Sequence, residues 1–296
     1  MHAPSVSVII PHYGDPRPTL NLISQLRPQR THEIFVVDDH SPEPFPSCDG
    51  VQVIRRNSNG GFGATVNTGA AFATLDLLLI LNSDLAVPVD LIERLVDAER
   101  VAHPCVVGPR VLDARGRVTI SARRWPTTLH QAAEWLTPLA RWRDRDWMRR
   151  LLGHDTRVLD AREPIDVDWL VGAALMVPRD EFADVGGFDE RFFMNSEEID
   201  LQRRLARRGV RRRYVPGVSV THEGGGSSDP AKRRRWLVQG QLRYSAKWGG
   251  RRRLRSALVV ATVVNLSWNM VRRLRGIPVD PLATAREELS LARSAT

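Results

Sequence analysis

Leu77-Leu78-Leu79-Ile80-Leu81-Asn82-Ser83-Asp84 is the stretch that decides the fold. An uninterrupted apolar run of this length, closed by polar residues and followed by Pro88, predicts a strand buried on both faces. Alternate residues of a strand share a side. Asn82 and Asp84 therefore stand together at its carboxyl end, where open α/β sheets bind their ligands. An amide oxygen and a carboxylate there suit a hard divalent cation holding phosphates. The same residues also suit a turn or a helix cap, where Asp is common. The neighbouring segments decide between the two.

Upstream, Ser5-Val6-Ser7-Val8-Ile9-Ile10-Pro11 predicts a first strand and residues 18–26 a helix. Glu33-Ile34-Phe35-Val36-Val37-Asp38-Asp39 predicts a second buried strand that ends in two carboxylates, and residues 51–54 a short third. Asn59-Gly60-Gly61-Phe62-Gly63 is a loop that opens a helix over 64–74. Downstream, a helix over 88–102 starts on a proline, which suits a first turn. Strands alternating with helices imply βαβ units, hence an α/β fold with a mostly parallel central sheet flanked by helices. The regularity then breaks. Residues 106–112 and 118–121 read as strands joined by the turn Asp113-Ala114-Arg115-Gly116. Residues 123–150 interleave arginines with Trp125, Trp135, Trp142 and Trp147, as in an inserted, partly helical, mobile segment beside the site or a small satellite core. Further on, residues 167–177 read as one strand carrying Trp169 and Gly172, residues 181–191 as turn-rich, and 197–208 as a helix. Residues 211–215 and 218–222 read as two short strands, and Gly224-Gly225-Gly226-Ser227-Ser228 as a flexible loop.

From Gly249 the character changes. Arg251-Arg252-Arg253-Leu254-Arg255 precedes an apolar run, residues 256–271, and Arg272-Arg273-Leu274-Arg275 follows it. The run is shorter than the ~20 residues a spanning helix needs, and it contains Asn265 and Asn269. It reads as an amphipathic interfacial helix with basic ends, the alternative being a packed C-terminal helix. The expected organisation is one sheet domain over 1–248, with an acceptor-side insertion at about 123–165, and a basic helical segment over 249–296.

Composition bounds the function. A chain of 296 residues that is 42% hydrophobic builds a real core and is not globally disordered. Cys48 and Cys105 have neither metal-ligand spacing nor a disulfide framework, which fits a reducing compartment. Met1-His2-Ala3-Pro4 runs straight into a strand pattern, from which no secretory leader is expected. The net charge of +9 is uneven: residues 201–275 hold twenty Lys/Arg against Glu223 and Asp229, a balance of +18 that leaves −9 elsewhere. Such asymmetry points to a polyanionic partner, nucleic acid or anionic lipid, or else to a solvated basic face.

Three polar clusters fall at one edge of the predicted sheet: Asp38 with Asp39, Asn82 with Asp84, and Glu197, Glu198 and Asp200 at the start of a late helix. Acids in a first turn also complement the helix dipole. Here the apolar Phe192-Phe193-Met194 precedes them, and a sheltered Glu with raised pKa is a candidate general base. His222, at a strand end, is a candidate metal ligand, although a lone His is more often structural.

In this order, Ser7-Val8-Ile9-Ile10-Pro11, Val36-Val37-Asp38-Asp39, residues 59–67, Asn82-Ser83-Asp84, residues 186–201 and His222 resemble glycosyltransferase family 2, nucleotide-sugar enzymes of the GT-A fold. The resemblance spans residues 6–247 and is nearest the bacterial rhamnosyltransferase-like branch, which shares the stretch Ser121-Ala122-Arg123. It implies that Pro11, Tyr13, Asp38 and Asp39 hold the nucleobase and ribose of the donor, with Gly61, Asn67, Asn82 and Ser83 also lining the nucleotide site. Asp84 matches the metal-binding end of the family's D-x-D motif, and His222 the second ligand to Mg²⁺ or Mn²⁺. Glu198 matches the base, with Glu197 able to exchange roles with it, and Trp169, Gly172 and Asp200 lie on the acceptor side. There are two departures: Asn82 replaces the motif's first Asp, and the base is Glu where Asp is usual.

The implied activity is inverting, metal-dependent transfer from a nucleotide-sugar donor to a polyprenyl-linked or glycan hydroxyl in cell-envelope polysaccharide synthesis. dTDP-rhamnose is favoured as donor, with a UDP-sugar as the alternative. The expected setting is the cytoplasm, peripheral on an anionic membrane surface at the inner face, without nucleic acid. A sugar nucleotidyltransferase would need a Gly-rich phosphate loop with a basic residue after the first strand, which Pro11-His12-Tyr13-Gly14-Asp15 does not supply. A nucleic-acid-binding protein would need a binding motif among the dispersed arginines, and none is present.

Overall fold

The structure, a computed structural model, describes residues 5–29, 33–223 and 229–294. The first half alternates as its pattern requires: β1 (Val6–His12), α1 (Pro16–Leu26), β2 (Glu33–Asp38), β3 (Gln52–Arg55), α2 (Phe62–Ala70), β4 (Leu77–Leu81), β5 (Leu85–Ala86) and α3 (Leu91–Ala102). Next come β6 (Cys105–Asp113), β7 (Val118–Thr119), β8 (Ala122–Arg123), α4 (Thr128–Trp135) and α5 (Asp146–Leu151). Then follow β9 (Ile165–Asp166), β10 (Trp169–Leu170), β11 (Ala174–Pro178), α6 (Arg179–Asp184), α7 (Glu197–Arg207) and β12 (Arg211–His222). Three helices close the chain: α8 (Pro230–Trp248), α9 (Arg251–Leu274) and α10 (Pro281–Arg293). Contacts group Met1–Arg123 and Arg157–Ser227 into one compact unit, and Arg124–Thr156 and Ser228–Thr296 into a second.

In the first unit, among the described residues, the main sheet runs β3-β2-β1-β4-β11-β6-β12-β5, with β7 on β6 and β9 on β12. Strands β3, β2, β1 and β4 are parallel, so their carboxyl ends share one edge. β11 is antiparallel to β4 and to β6, while β12 runs parallel to β6, so the far half is mixed. Every residue of β4 is buried. Its alternation sorts the core: Leu77, Leu79 and Leu81 pack with Leu22, Ile23 and Leu95 of α1 and α3, and Leu78 and Ile80 with Val66, Leu201 and Leu205 of α2 and α7. Helices on both faces are what an apolar run without alternation demands.

The helix expected over 64–74 runs over Phe62–Ala70, the strand expected over 118–121 shortens to Val118–Thr119, and three further elements differ. Residues 167–177 are two strands: β10 pairs with β8 in a separate two-stranded sheet and β11 joins the main one, because the chain turns at Gly172-Ala173. The two short strands expected at the end of the sheet are one strand, β12, whose register shifts between Val215 and Ser219 around Pro216-Gly217. The helix expected from Pro88 starts at Leu91, whose N–H turns back onto the Pro88 carbonyl at 3.2 Å. The Gly-rich loop expected at 224–228 lies outside the described residues.

The second unit is helical. Val238, Leu242, Leu254, Leu258, Leu291 and Ala292 form its core, with Trp135 packed against it. Beside this core lies a buried polar network. The Trp135 indole N–H donates to Thr262 Oγ1 (2.9 Å) and the Thr137 N–H to Asn265 Oδ1 (2.8 Å). Asn265 Nδ2 donates to the Trp135 carbonyl (2.9 Å) and to both carboxylate oxygens of Glu288 (3.2 and 3.1 Å), which also accepts from Arg234 (2.9 Å). The apolar run expected at 256–271 extends into a 24-residue helix that includes the flanking arginines.

Candidate active site

At the carboxyl edge of the parallel strands, carboxylates organise the loops. Asp38 is fully buried: its Oδ1 accepts from the Ser41 N–H (2.8 Å), its Oδ2 from the Phe45 N–H (3.2 Å), and Arg55 pairs with it. Burial pushes its pKa up, but these donors outweigh burial and hold it below the ordinary carboxylate value. Asp39 accepts from the N–H groups of Gly60 (3.0 Å) and Gly61 (2.8 Å) and from Arg56 (2.6 Å), which ties the 59–61 loop to the end of β2. Gly61 has φ +81°, and a Cβ there would stand 1.8 Å from the Phe193 carbonyl oxygen, so only glycine fits. Past β1, the Gly14 N–H donates to Ser41 Oγ (2.9 Å), and Tyr13 beside it is exposed while Pro11 is half-buried. The side chain of Asn67 is occupied within the protein: its amide exchanges two hydrogen bonds with the Phe188 backbone (2.9 and 2.8 Å) and donates to Glu190 (3.0 Å), bracing the turn before α7.

The chain turns after β4 through Asn82 and Ser83, and the Asn82 N–H donates to the Ala173 carbonyl (2.8 Å). β5 then pairs antiparallel with the end of β12, His222 opposite Leu85. This brings residues 138 positions apart in sequence together: His222 Nε2 lies 2.9 Å from Asp84 Oδ1, both partly exposed. The hydrogen bond that His222 donates to Asp84 raises the His222 pKa, against burial, which lowers it. A carboxylate oxygen and an imidazole nitrogen are a donor set that fits a divalent cation. Among the described residues no third His, Cys, Asp or Glu joins them. A site with so few protein carboxylates suits an ion whose remaining ligands include waters or substrate phosphates.

α7 carries the remaining acids. Asn195 (φ 69°) and Ser196 (φ 73°) deliver the chain into it through two consecutive left-handed residues, a conformation non-glycine residues rarely adopt. Glu197 is buried, and its pKa is pushed well up by desolvation and then by the neighbouring Glu198 charge. Glu198 is half-buried and also raised by desolvation, with Arg123 pulling the other way. Among the described residues, the Oε2 of each has no hydrogen-bond partner. A Cβ on Gly172 would sit 3.5 Å from Glu198 Cβ, and Ala173 holds the Asn82 N–H, so Glu198 and the end of β4 share a wall. Asp200 is buried and paired with Arg204 (2.8 Å). Trp169 is buried with Arg123 over its ring at 5.9 Å.

Sequence reasoning missed two residues that shape this wall. Gln202 accepts from the Leu170 N–H (2.8 Å) and donates to the Leu170 carbonyl (2.7 Å), clamping β10 to α7. Its signal was an amide one turn beyond Glu198, on the buried stripe with Ile199, Leu201 and Leu205. Arg123 had no signal beyond its place in the quoted stretch, because its proximity to Glu198 is tertiary.

Residues 7–150 match the sequence profile described as Glycosyl transferase family 2. An N-acetylglucosaminyl-diphospho-decaprenol L-rhamnosyltransferase of Mycobacterium tuberculosis (strain H37Rv) is 30% identical over 226 residues, 70% of this chain and 72% of that relative. The chain belongs to glycosyl transferase family 2. It is a glycosyltransferase, similar also to rhamnosyltransferase WbbL of Escherichia coli (strain K12), with 39% identity over 83 residues that cover 27% of this chain and 31% of that one. This family 2 enzyme has the GT-A fold. A crystal structure of GalNAc-T7 with UDP, GalNAc and Mn²⁺ superposes with a TM-score of 0.59 at 16% identity, over 82% of this chain and 48% of that one.

Proposed function

We propose that the enzyme transfers rhamnose, with inversion, from its deoxythymidine-diphosphate donor to a hydroxyl of a polyprenyl-diphosphate-linked sugar. We place this at the cytoplasmic face of the plasma membrane, in cell-envelope polysaccharide synthesis. The observation that carries the reading is the meeting of Asp84 and His222 at 2.9 Å beside the parallel strand ends. The name of the mycobacterial relative supplies the acceptor class, and the Mn²⁺ bound by GalNAc-T7 supports a divalent ion. Asp84 and His222 would hold Mg²⁺ or Mn²⁺, which neutralises charge on a departing diphosphate. Tyr13 and Pro11, with the loops tied down by Asp38 and Asp39, form the base and ribose side; Asn82 and Ser83 line the turn beneath the phosphates.

Glu198 takes the proton from the acceptor hydroxyl as that oxygen bonds to the anomeric carbon. The bond from that carbon to the diphosphate breaks with its electrons on the leaving nucleotide, so one displacement inverts the centre. Of the two raised glutamates, Glu198 is the more exposed, half-buried where Glu197 is 4% exposed, and burial raises its pKa while its charge in turn raises that of Glu197. Trp169 and Gly172 shape the acceptor side of Glu198, and Asp200 orients Arg204, whose guanidinium donates to the Val185 carbonyl (2.6 Å) and ties α7 to the end of α6.

The test is a panel of nucleotide sugars assayed with and without chelator, for the wild type and Asp84→Ala. Transfer from the deoxythymidine donor, lost in chelator and in Asp84→Ala, is expected, with opposite anomeric configuration in donor and product. Full activity in excess chelator overturns the metal assignment, a product of retained configuration overturns the single displacement, and selective use of a uridine-diphosphate sugar overturns only the donor.

A further inference from the structure

α9 is inside out. Its inward stripe, recurring every three or four residues with Ala261 and Thr262 side by side, is Leu254, Leu258, Ala261, Thr262, Asn265 and Asn269. The polar members of that stripe are satisfied within the unit: Thr262 and Asn265 by the Trp135, Thr137 and Glu288 network, and Asn269 by Arg272 (3.2 Å). The opposite face is apolar and open to solvent: Val259, Val260 (64% exposed), Val263 (57% exposed), Val264, Met270 and Val271. A soluble helix places these residues the other way round. An exposed contiguous apolar ridge on a helix marks a surface made for a partner.

Charge identifies that partner. The first turn of α9 is Arg251-Arg252-Arg253, with Arg255 one turn on and no acidic residue among them. Cations at a helix N-terminus are opposed by the helix dipole, so this placement costs the fold something. Arg255 repays part of that by donating to the Ser294 carbonyl (2.9 Å). Arg252 and Arg253 are exposed and make no ion pair among the described residues. Arg275 does likewise at the other end. An apolar ridge bracketed by unpaired arginines complements an anionic lipid surface: headgroups meet the arginines and the acyl boundary receives the valines.

We propose that the Val260–Val263–Val264 face of α9 is the enzyme's membrane-docking surface, and that α9 lies along an anionic bilayer rather than across it. The helix is long and apolar enough to cross by length and composition alone. However, only residues 256–271 separate the two arginine clusters, fewer than the ~20 a span needs. Leu254 and Leu258 of α9 also share a core with Leu291 and Ala292 of α10, so a spanning α9 would draw Glu287, Glu288 and Arg293 toward hydrocarbon. The inference rests on the peripheral membrane association proposed above and assigns it to one face.

The full-length protein and the triple variant Val260→Gln/Val263→Gln/Val264→Gln are sedimented with phosphatidylglycerol/phosphatidylcholine vesicles and with pure phosphatidylcholine, at low and high salt. Thermal melting, solution mass and nucleotide-sugar hydrolysis are followed in parallel. The wild type is expected to pellet with the anionic vesicles, less at high salt and little with phosphatidylcholine. The triple variant should partition at least tenfold more weakly, with melting and hydrolysis unchanged. Equal pelleting of both proteins overturns the assignment of the face and leaves membrane association standing. A wild type that ignores anionic vesicles at low salt overturns both, whereas loss of donor use with intact pelleting overturns only the enzymatic reading. A wild-type dimer that the triple variant dissolves, without vesicle binding, makes the occupant a second copy of the chain and also overturns the proposal.

Discussion

Two apolar runs, β4 and the middle of α9, end in opposite places. β4 is buried at every position, sandwiched between α1 and α3 on one face and α2 and α7 on the other. α9 turns Thr262, Asn265 and Asn269 inward and Val260, Val263 and Val264 outward. Hydropathy therefore does not by itself define a core. A run becomes core when neighbouring elements bring apolar surface to both its sides, as the βαβ alternation around β4 does. A run flanked by arginines and backed by a polar network keeps its apolar face for something else.

The widest gap between the two should appear in stability. Leu79→Ala removes a fully buried side chain from a close-packed sheet and should cost about 2–5 kcal/mol, read from the urea midpoint. A loss under 1 kcal/mol would mean that β4 is not the keystone of the first unit. Next comes the chemistry at the strand ends. Glu198→Gln should lower turnover by about a hundredfold or more while donor KM changes little; if Glu197→Gln is the dead variant instead, the two roles exchange. The base must be ionised to work, and burial raises its pKa. Activity should therefore fall, as pH drops, at a higher pH than an ordinary glutamate would dictate, and the rate should report the coupled pair. An acid limb confined to the usual carboxylate range would contradict that.

A smaller effect should follow from the polar interior of α9. Asn265→Leu strands the Thr137 N–H and the Trp135 carbonyl, and takes one donor from Glu288. Such buried orphans cost about 1–3 kcal/mol, measurable in the same melts, and a stabilised variant would show the network to be dispensable. The smallest change should come from the outer face: Val264→Gln should shift stability by no more than about 0.5 kcal/mol. A larger loss would place Val264 in a packed interface and close the contrast between the two runs.

The amino-acid sequence by itself determined the sheet half. Runs such as Val36-Val37-Asp38-Asp39 and Leu79-Ile80-Leu81-Asn82-Ser83-Asp84 state locally both that a strand is buried and where it stops, because backbone polar groups and carboxylates are tolerated only where the strand leaves the core. That placed Asp38, Asp39, Asn82 and Asp84 at one edge. The start of α7 was legible because acids before an apolar stripe mark a helix N-terminus. The tertiary structure alone decided the rest. The approach of His222 to Asp84 depends on the pairing of β5 with β12, and β5 is two residues long with no pattern of its own. The break of residues 167–177 into β10 and β11 depends on which neighbours each half finds. The occupation of Asn67 by the Phe188 backbone, the clamp of Gln202 on Leu170 and the inversion of α9 are likewise contacts between distant segments. Local sequence fixes periodicity, and periodicity says which residues share a face. What that face meets is a property of the fold, since burial and pKa are set by groups far away in the chain.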